Sequence, residues 1–151
     1  MLNQVRLRGF VADDPFIRAT EEGKVARLRI ATTERVTRRK DGRTLEHTEW
    51  HTVVLWGKCA DLADKEIRVG MAVDLEGALR TRDWEDNKGR QHRTTDIVAH
   101  TITLIEGGIE GYSLPKAIEE RKEELYPRRA VAAKPISPIT PPEEDPDELP
   151  F

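Results

Sequence analysis

Hydrophobic and polar residues alternate along most of the first hundred positions. In NQVRLRGF (3–10), Val5 and Leu7 alternate with Arg6 and Arg8, the period-two pattern of a half-buried strand. The DDP and EEGK clusters mark turns. In VARLRIATTE (25–34), Ala26, Leu28 and Ile30 then alternate with Arg27 and Arg29. Asp41-Gly42, inside RKDGR (39–43), is a favoured hairpin turn, and TEWHTVVLW (48–56) reads as the strand that follows it. The pattern changes in GKCADLADKEIRVG (57–70), where Cys59, Leu62, Ala63 and Ile67 take helical spacing and Gly70 is the stop signal. AVDLEGALRTRDW (72–84) and TTDIVAHTITLI (94–105) return to strand character, joined by the polar turn EDNKGRQ (85–91).

Three strands, one short helix and two more strands is the order of the OB-fold, an all-β, five-stranded Greek-key barrel with its helix between strands 3 and 4. Other small barrels share that count, so the pattern alone leaves them open. The first unit is expected to cover residues 1–111. After it, SLPKAIEERKEELYP suggests a solvent-exposed helix within 112–126, with Ser113 as cap and Pro127 as stop. Residues 127–151 hold seven of the nine prolines and end on an acidic cluster, a composition that predicts a disordered tail.

Composition narrows the function. Hydrophobic residues make up 37% and charged residues 35% of the 151. No apolar run approaches the roughly eighteen residues of a membrane span. The N-terminus lacks the apolar core of a signal peptide, which predicts a cytoplasmic protein. Cys59 is the only cysteine, which excludes an internal disulfide and an all-cysteine metal site. The net charge of −3 lies entirely after residue 111. Residues 1–111 carry 19 Lys and Arg against 19 Asp and Glu, and the remainder carries 6 against 9. Within the neutral part, Arg35, Arg38, Arg39, Lys40 and Arg43 crowd around a single Asp41. Such a local potential suits phosphates even at zero net charge, although a solvated loop has the same look.

Strand periodicity puts Trp50, Thr52, Val54 and Trp56 on one face. It puts Arg80, Arg82 and Trp84 together in the next strand, with Val73, Leu75, Gly77 and Leu79 on the opposite, core-like face. Core packing would account for a tryptophan in a strand. A ring beside arginines equally suits base stacking next to phosphate-binding cations. Catalytic sets are missing. His47 and His51 lie four apart on a strand, about 13 Å, too far for one ion. Thr48 stands where a zincin helix needs glutamate. Cys59 has no base partner, and no glycine-rich phosphate loop occurs. No enzyme, metal or cofactor is expected.

TEWHTVVLWGK followed by LEGALRTRDW resembles the bacterial single-stranded DNA-binding proteins. The resemblance begins at NQVRLRG, runs through DDPFIR and VARLRIATTE to about residue 105, and returns in the DELPF terminus. It implies a homotetramer of OB-folds wrapped by single-stranded DNA, with base stacking on Trp50, Trp56 and Trp84. Lys58, Arg80 and Arg82 fall on phosphate-binding positions, and the Arg35, Arg38, Arg39, Lys40 and Arg43 stretch would add to them. Val5, Leu7 and His51 fall on subunit contacts. Val36 stands where members often have a further aromatic. The acidic tip, Asp145, Asp147, Glu148, Leu149, Pro150 and Phe151, would recruit proteins of DNA replication, recombination and repair. A ring and a free carboxylate on one residue, beside three acids, suit an apolar pocket with a basic rim. Two alternatives are an OB-fold adaptor for replication restart or RNA, working mainly through protein contacts, and a small nuclease or hydrolase.

Overall fold

The computed structural model describes residues 1–127. Among these, six strands and two helices follow one another: β1 (Val5–Val11), β2 (Phe16–Thr20), β3 (Gly23–Thr37), β4 (Thr44–Trp56), α1 (Gly57–Glu66), β5 (Ala72–Glu85), β6 (Gln91–Ile105) and α2 (Lys116–Leu125). The sheet order is β1-β5-β6-β4-β3-β2, and a further β1–β3 pairing closes five of the strands into a barrel. All pairs are antiparallel except β4–β6, where Val53, Val54 and Leu55 lie level with Ile97, Val98 and Ala99. This is the expected OB-fold.

The barrel is filled from the alternating positions. Leu28, Ile30, Val53, Leu55, Val73 and Leu75 are fully buried, each worth about 1.5–3 kcal/mol in removal from water. Helix α1 plugs the barrel with Ala60 and Ala63, spaced i and i+3 on one face, and Ile67, at its extended C-cap, joins the same cluster. It ends at Glu66, before Gly70, whose positive φ serves the following turn.

Closure depends on two glycines. A Cβ on Gly9 would lie 2.2 Å from the Ala31 carbonyl oxygen, where β1 leaves β5 for β3. One on Gly77 would lie 2.1 Å from the Val98 oxygen, at the bulge between β5 and β6. No side chain fits either approach.

Four features differ from the sequence expectation. Residues 16–20, passed over between two turns, form β2, which hairpins onto β3 with Thr20 opposite Gly23. Strands β3 and β4 run past the barrel as a two-stranded arm from Thr32 opposite Glu49 to Thr37 opposite Thr44. Leu79 is 49% exposed, not core, because β5 has passed beyond the barrel's filled interior by that point. The helix after Gly111 is not exposed all round. Ile118 is 1% exposed and packs with Phe10, Ala12, Ala31, Val69 and Ala72 in a second cluster, with Tyr112 and Leu114 against it. Arg121 bonds Asp13 at 3.0 Å, and the Tyr126 hydroxyl donates to Asp14. The expected tail and its tip lie outside the described residues.

Candidate nucleic-acid interface

One side of the barrel wall is built by outward-pointing residues of five adjacent strands. Register aligns a transverse row of Phe16 on β2, Arg27 on β3, Val54 on β4, Val98 on β6 and Ala78 on β5. On either side of that row, the same parity puts Trp56, Thr52 and Trp50 on β4, Arg29 on β3, and Arg80, Arg82 and Trp84 on β5. The three tryptophans are 42%, 46% and 41% exposed for Trp50, Trp56 and Trp84, so none is a core residue. Their strand neighbours Val53 and Leu55 supply the core instead.

Each tryptophan has its own setting. The Arg29 guanidinium lies over the Trp50 ring, 5.5 Å from its centroid, a cation–π contact. Trp56 closes β4 opposite Val25, just before α1. Trp84 stacks on His92, with centroids 4.5 Å apart and 23° between planes. Its indole N–H donates to the Thr94 hydroxyl at 2.8 Å. His92 in turn meets Asp86 at 2.8 Å. That contact, with backbone N–H donors of Arg90 and Lys88, holds the Asp86 carboxyl below the usual carboxylate range.

The expected cations fall into two groups. Arg39, Lys40, Arg43, Lys58 and Arg80 are exposed and make no ion pair among the described residues. Arg38, Arg39, Lys40 and Arg43 crown the tip of the β3–β4 arm, where Arg38 reaches Asp41 at 3.7 Å. Arg82 is tied to Asp96 at 3.0 Å, and Asp96 is 6% exposed, so much of that charge is already neutralised. Arg35 is tied as well, to Glu46 at 3.3 Å, to the Gly111 carbonyl and over the Tyr112 ring at 4.3 Å. It clips the arm to the segment leaving the barrel.

Arg27, Arg29, Arg18 and Phe16 stand on this face and were not among the expected site residues. Arg27 and Arg29 were visible in the alternation of β3, where they read only as its solvent side. His47 meets Glu49 and His51 meets Thr32 at 2.8 Å, so the two histidines have separate partners. The Cys59 thiol donates to the His100 carbonyl, and burial pushes its pKa up, away from a reactive thiolate. Among the described residues no cluster of His, Cys, Asp or Glu is placed to hold a metal ion.

The sequence profile of the Single-strand binding protein family matches residues 2–105. The chain belongs to that family. Two solved structures are similar to this chain. One is Plasmodium falciparum SSB in complex with ssDNA, 30% identical with a TM-score of 0.65, covering 70% of this chain and 97% of that one. The other is a deletion mutant of the single-stranded DNA binding protein from Thermus aquaticus, 29% identical with a TM-score of 0.64. That match covers 75% of this chain and 54% of the Thermus chain. Within the family frame, the matched residues contain every strand of the barrel and all three exposed tryptophans, and α2 lies beyond them.

Proposed function

We propose that this family member binds single-stranded DNA without sequence preference across the outer face of β5, β6, β4 and β3. The observation that carries this is the single wall on which three half-exposed tryptophans stand among Arg27, Arg29 and Arg80. Bases stack on Trp50, Trp56 and Trp84, and every base has a ring to offer, so the contact tolerates any sequence. Arg80, Lys58, Arg27 and Arg29 meet phosphates, and the Arg38, Arg39, Lys40 and Arg43 tip reaches further phosphates along the strand. Residues 1–111 are the binding and oligomerisation unit. No step of bond making or breaking is assigned to the protein.

Self-association follows from an open edge. From Val5 to Gly9, β1 pairs with β5 on one side, and β3 takes up its other side only at Phe10 and Val11. The Val5 and Leu7 side chains pack partly on their own core, so it is their backbone that a second copy would extend, with His51 near the contact. A homotetramer is the assembly expected of the family resemblance. The terminal residues Asp145 to Phe151 recruit proteins acting in DNA replication, recombination and repair, through the ring, the carboxylate and the acids before them.

Quenching of tryptophan fluorescence by oligo-dT tests the binding face. Trp50→Ala should weaken binding by about 1–3 kcal/mol, and unchanged affinity in both Trp50→Ala and Trp84→Ala removes the stacking assignment. Native mass with and without oligo-dT tests the assembly: a monomer indifferent to DNA overturns it.

A further inference from the structure

The far end of the transverse row is unused by the fold. Phe16 is 66% exposed, while the next residue, Ile17, packs against the core. A lone exposed phenylalanine would need no explanation, but this one is not alone. It borders a shallow pocket of about 70 Å³ lined by Phe16, Arg18, Val25, Ala26, Arg27 and Val54. Arg18 and Arg27 are exposed and make no ion pair among the described residues. Lys24, beside Val25 but on the opposite face of β3, is by contrast spent on Asp64 and Asp61. No carboxylate lines the pocket. An aromatic plane, an apolar floor and two uncompensated guanidinium groups make a surface for a flat ring carrying a negative charge.

The pocket is continuous with the tryptophan face. Val25 lies opposite both Arg18 on β2 and Trp56 on β4, and Val54 lies level with Arg27 and Phe16. Two strand spacings, about 10 Å, separate β2 from β4.

We infer that Phe16, Arg18 and Arg27 form a further nucleotide subsite, reached by single-stranded DNA that passes from Trp56 across Val25 to the edge of the sheet. The base lies against the Phe16 ring, and Arg18 and Arg27 hold the adjoining phosphates. This rests on the reading of the tryptophan face given above. It also supplies this chain with a fourth stacking ring, on a different strand from Val36.

The test uses the full chain and oligo-dT long enough to cross the whole wall. Phe16→Ala should weaken binding about fivefold or more, the lower range for one stacked base, with an unchanged thermal midpoint because the ring is exposed. Arg18→Gln should reduce the slope of log affinity against log salt by about 0.7, the loss of one phosphate contact on a single strand. Photo-cross-linking with 5-iododeoxyuridine in the oligonucleotide should label Phe16. Full affinity in Phe16→Ala, with binding weakened in Trp50→Ala, removes the subsite and leaves the tryptophan face standing. That is also the result expected if the ring serves a protein partner instead. Full affinity in both variants removes both readings, and cross-links confined to the three tryptophans remove the subsite.

Discussion

His92 stacks on one face of Trp84, with the centroids 4.5 Å apart, and the tryptophan remains 41% exposed. Thr94 fixes the indole edge and Asp86 fixes the imidazole, so the ring is held from two directions. Trp84 therefore offers a single stacking plane whose orientation is set before any base arrives. If His92 acts only through that ring, His92→Ala should weaken oligo-dT binding by less than Trp84→Ala does. The double variant should be no weaker than Trp84→Ala alone. A double-mutant cycle from fluorescence titrations measures this, and full additivity would show that His92 touches DNA on its own account.

Arg80 and Arg82 sit two residues apart on the same strand face but differ in electrostatic freedom. Arg80 has no ion pair among the described residues, whereas Arg82 bonds the nearly buried Asp96. Arg80→Gln should lower the salt slope of DNA binding by about 0.7, and Arg82→Gln should lower it less. Arg82→Gln should instead destabilise the fold by about 1–3 kcal/mol, since it strips a buried carboxylate of its charged partner. Urea denaturation beside the salt titration separates the two effects.

Ile118 ties α2 to the barrel through Phe10, Val69 and Ala72. Ile118→Ala should destabilise by about 2–4 kcal/mol, the loss of a buried side chain plus the cavity it leaves. A chain cut after Gly111 should melt at lower temperature than the full chain and expose the Phe10 cluster to a hydrophobic dye. An unchanged melting curve for both would show that α2 adds nothing to the fold.

Asp74 accepts hydrogen bonds from Arg8 at 2.8 and 3.0 Å and from Arg6 at 3.3 and 3.4 Å, and these contacts hold its carboxyl below the usual range. Asp64, paired with Lys24, is lowered for the same reason. A carboxyl whose folded pKa is depressed contributes its stability above the unfolded value, near 4, and loses it as pH falls through the folded value. Thermal midpoints should therefore hold down to about pH 4–5 and fall below it. In Asp74→Asn the fall should be shallower, and high salt should blunt it in the parent chain, because these pairs are largely exposed.

The barrel was legible because its strands alternate cleanly and because glycines at turns, Gly42 in the hairpin and Gly70 after the helix, punctuate them. Strand β2 was not: FIRAT is five residues long, and its Phe16 points outward, against the usual sense of a hydrophobic pattern. Leu79 shows a related gap, since alternation gives a side chain's face but not the point at which a strand leaves the core. The tryptophans could be grouped from sequence, yet only the sheet order joins β4 to β5 across β6 and brings Arg27 and Arg29 beside them. The burial of α2 was beyond reach for another reason. Ile118 finds its partners at positions 10 to 72, and a mostly charged helix with one apolar anchor has no periodicity to announce it.

Docking of α2 also sets an upper limit on the reach of the chain that follows it. Were the chain loose from Gly111 onward, forty residues would separate the barrel from Phe151, a maximum span of roughly 135 Å. With Tyr126 fastened to Asp14, only twenty-five remain, and the ceiling drops to roughly 85 Å. Undoing one helix would raise that ceiling by more than half.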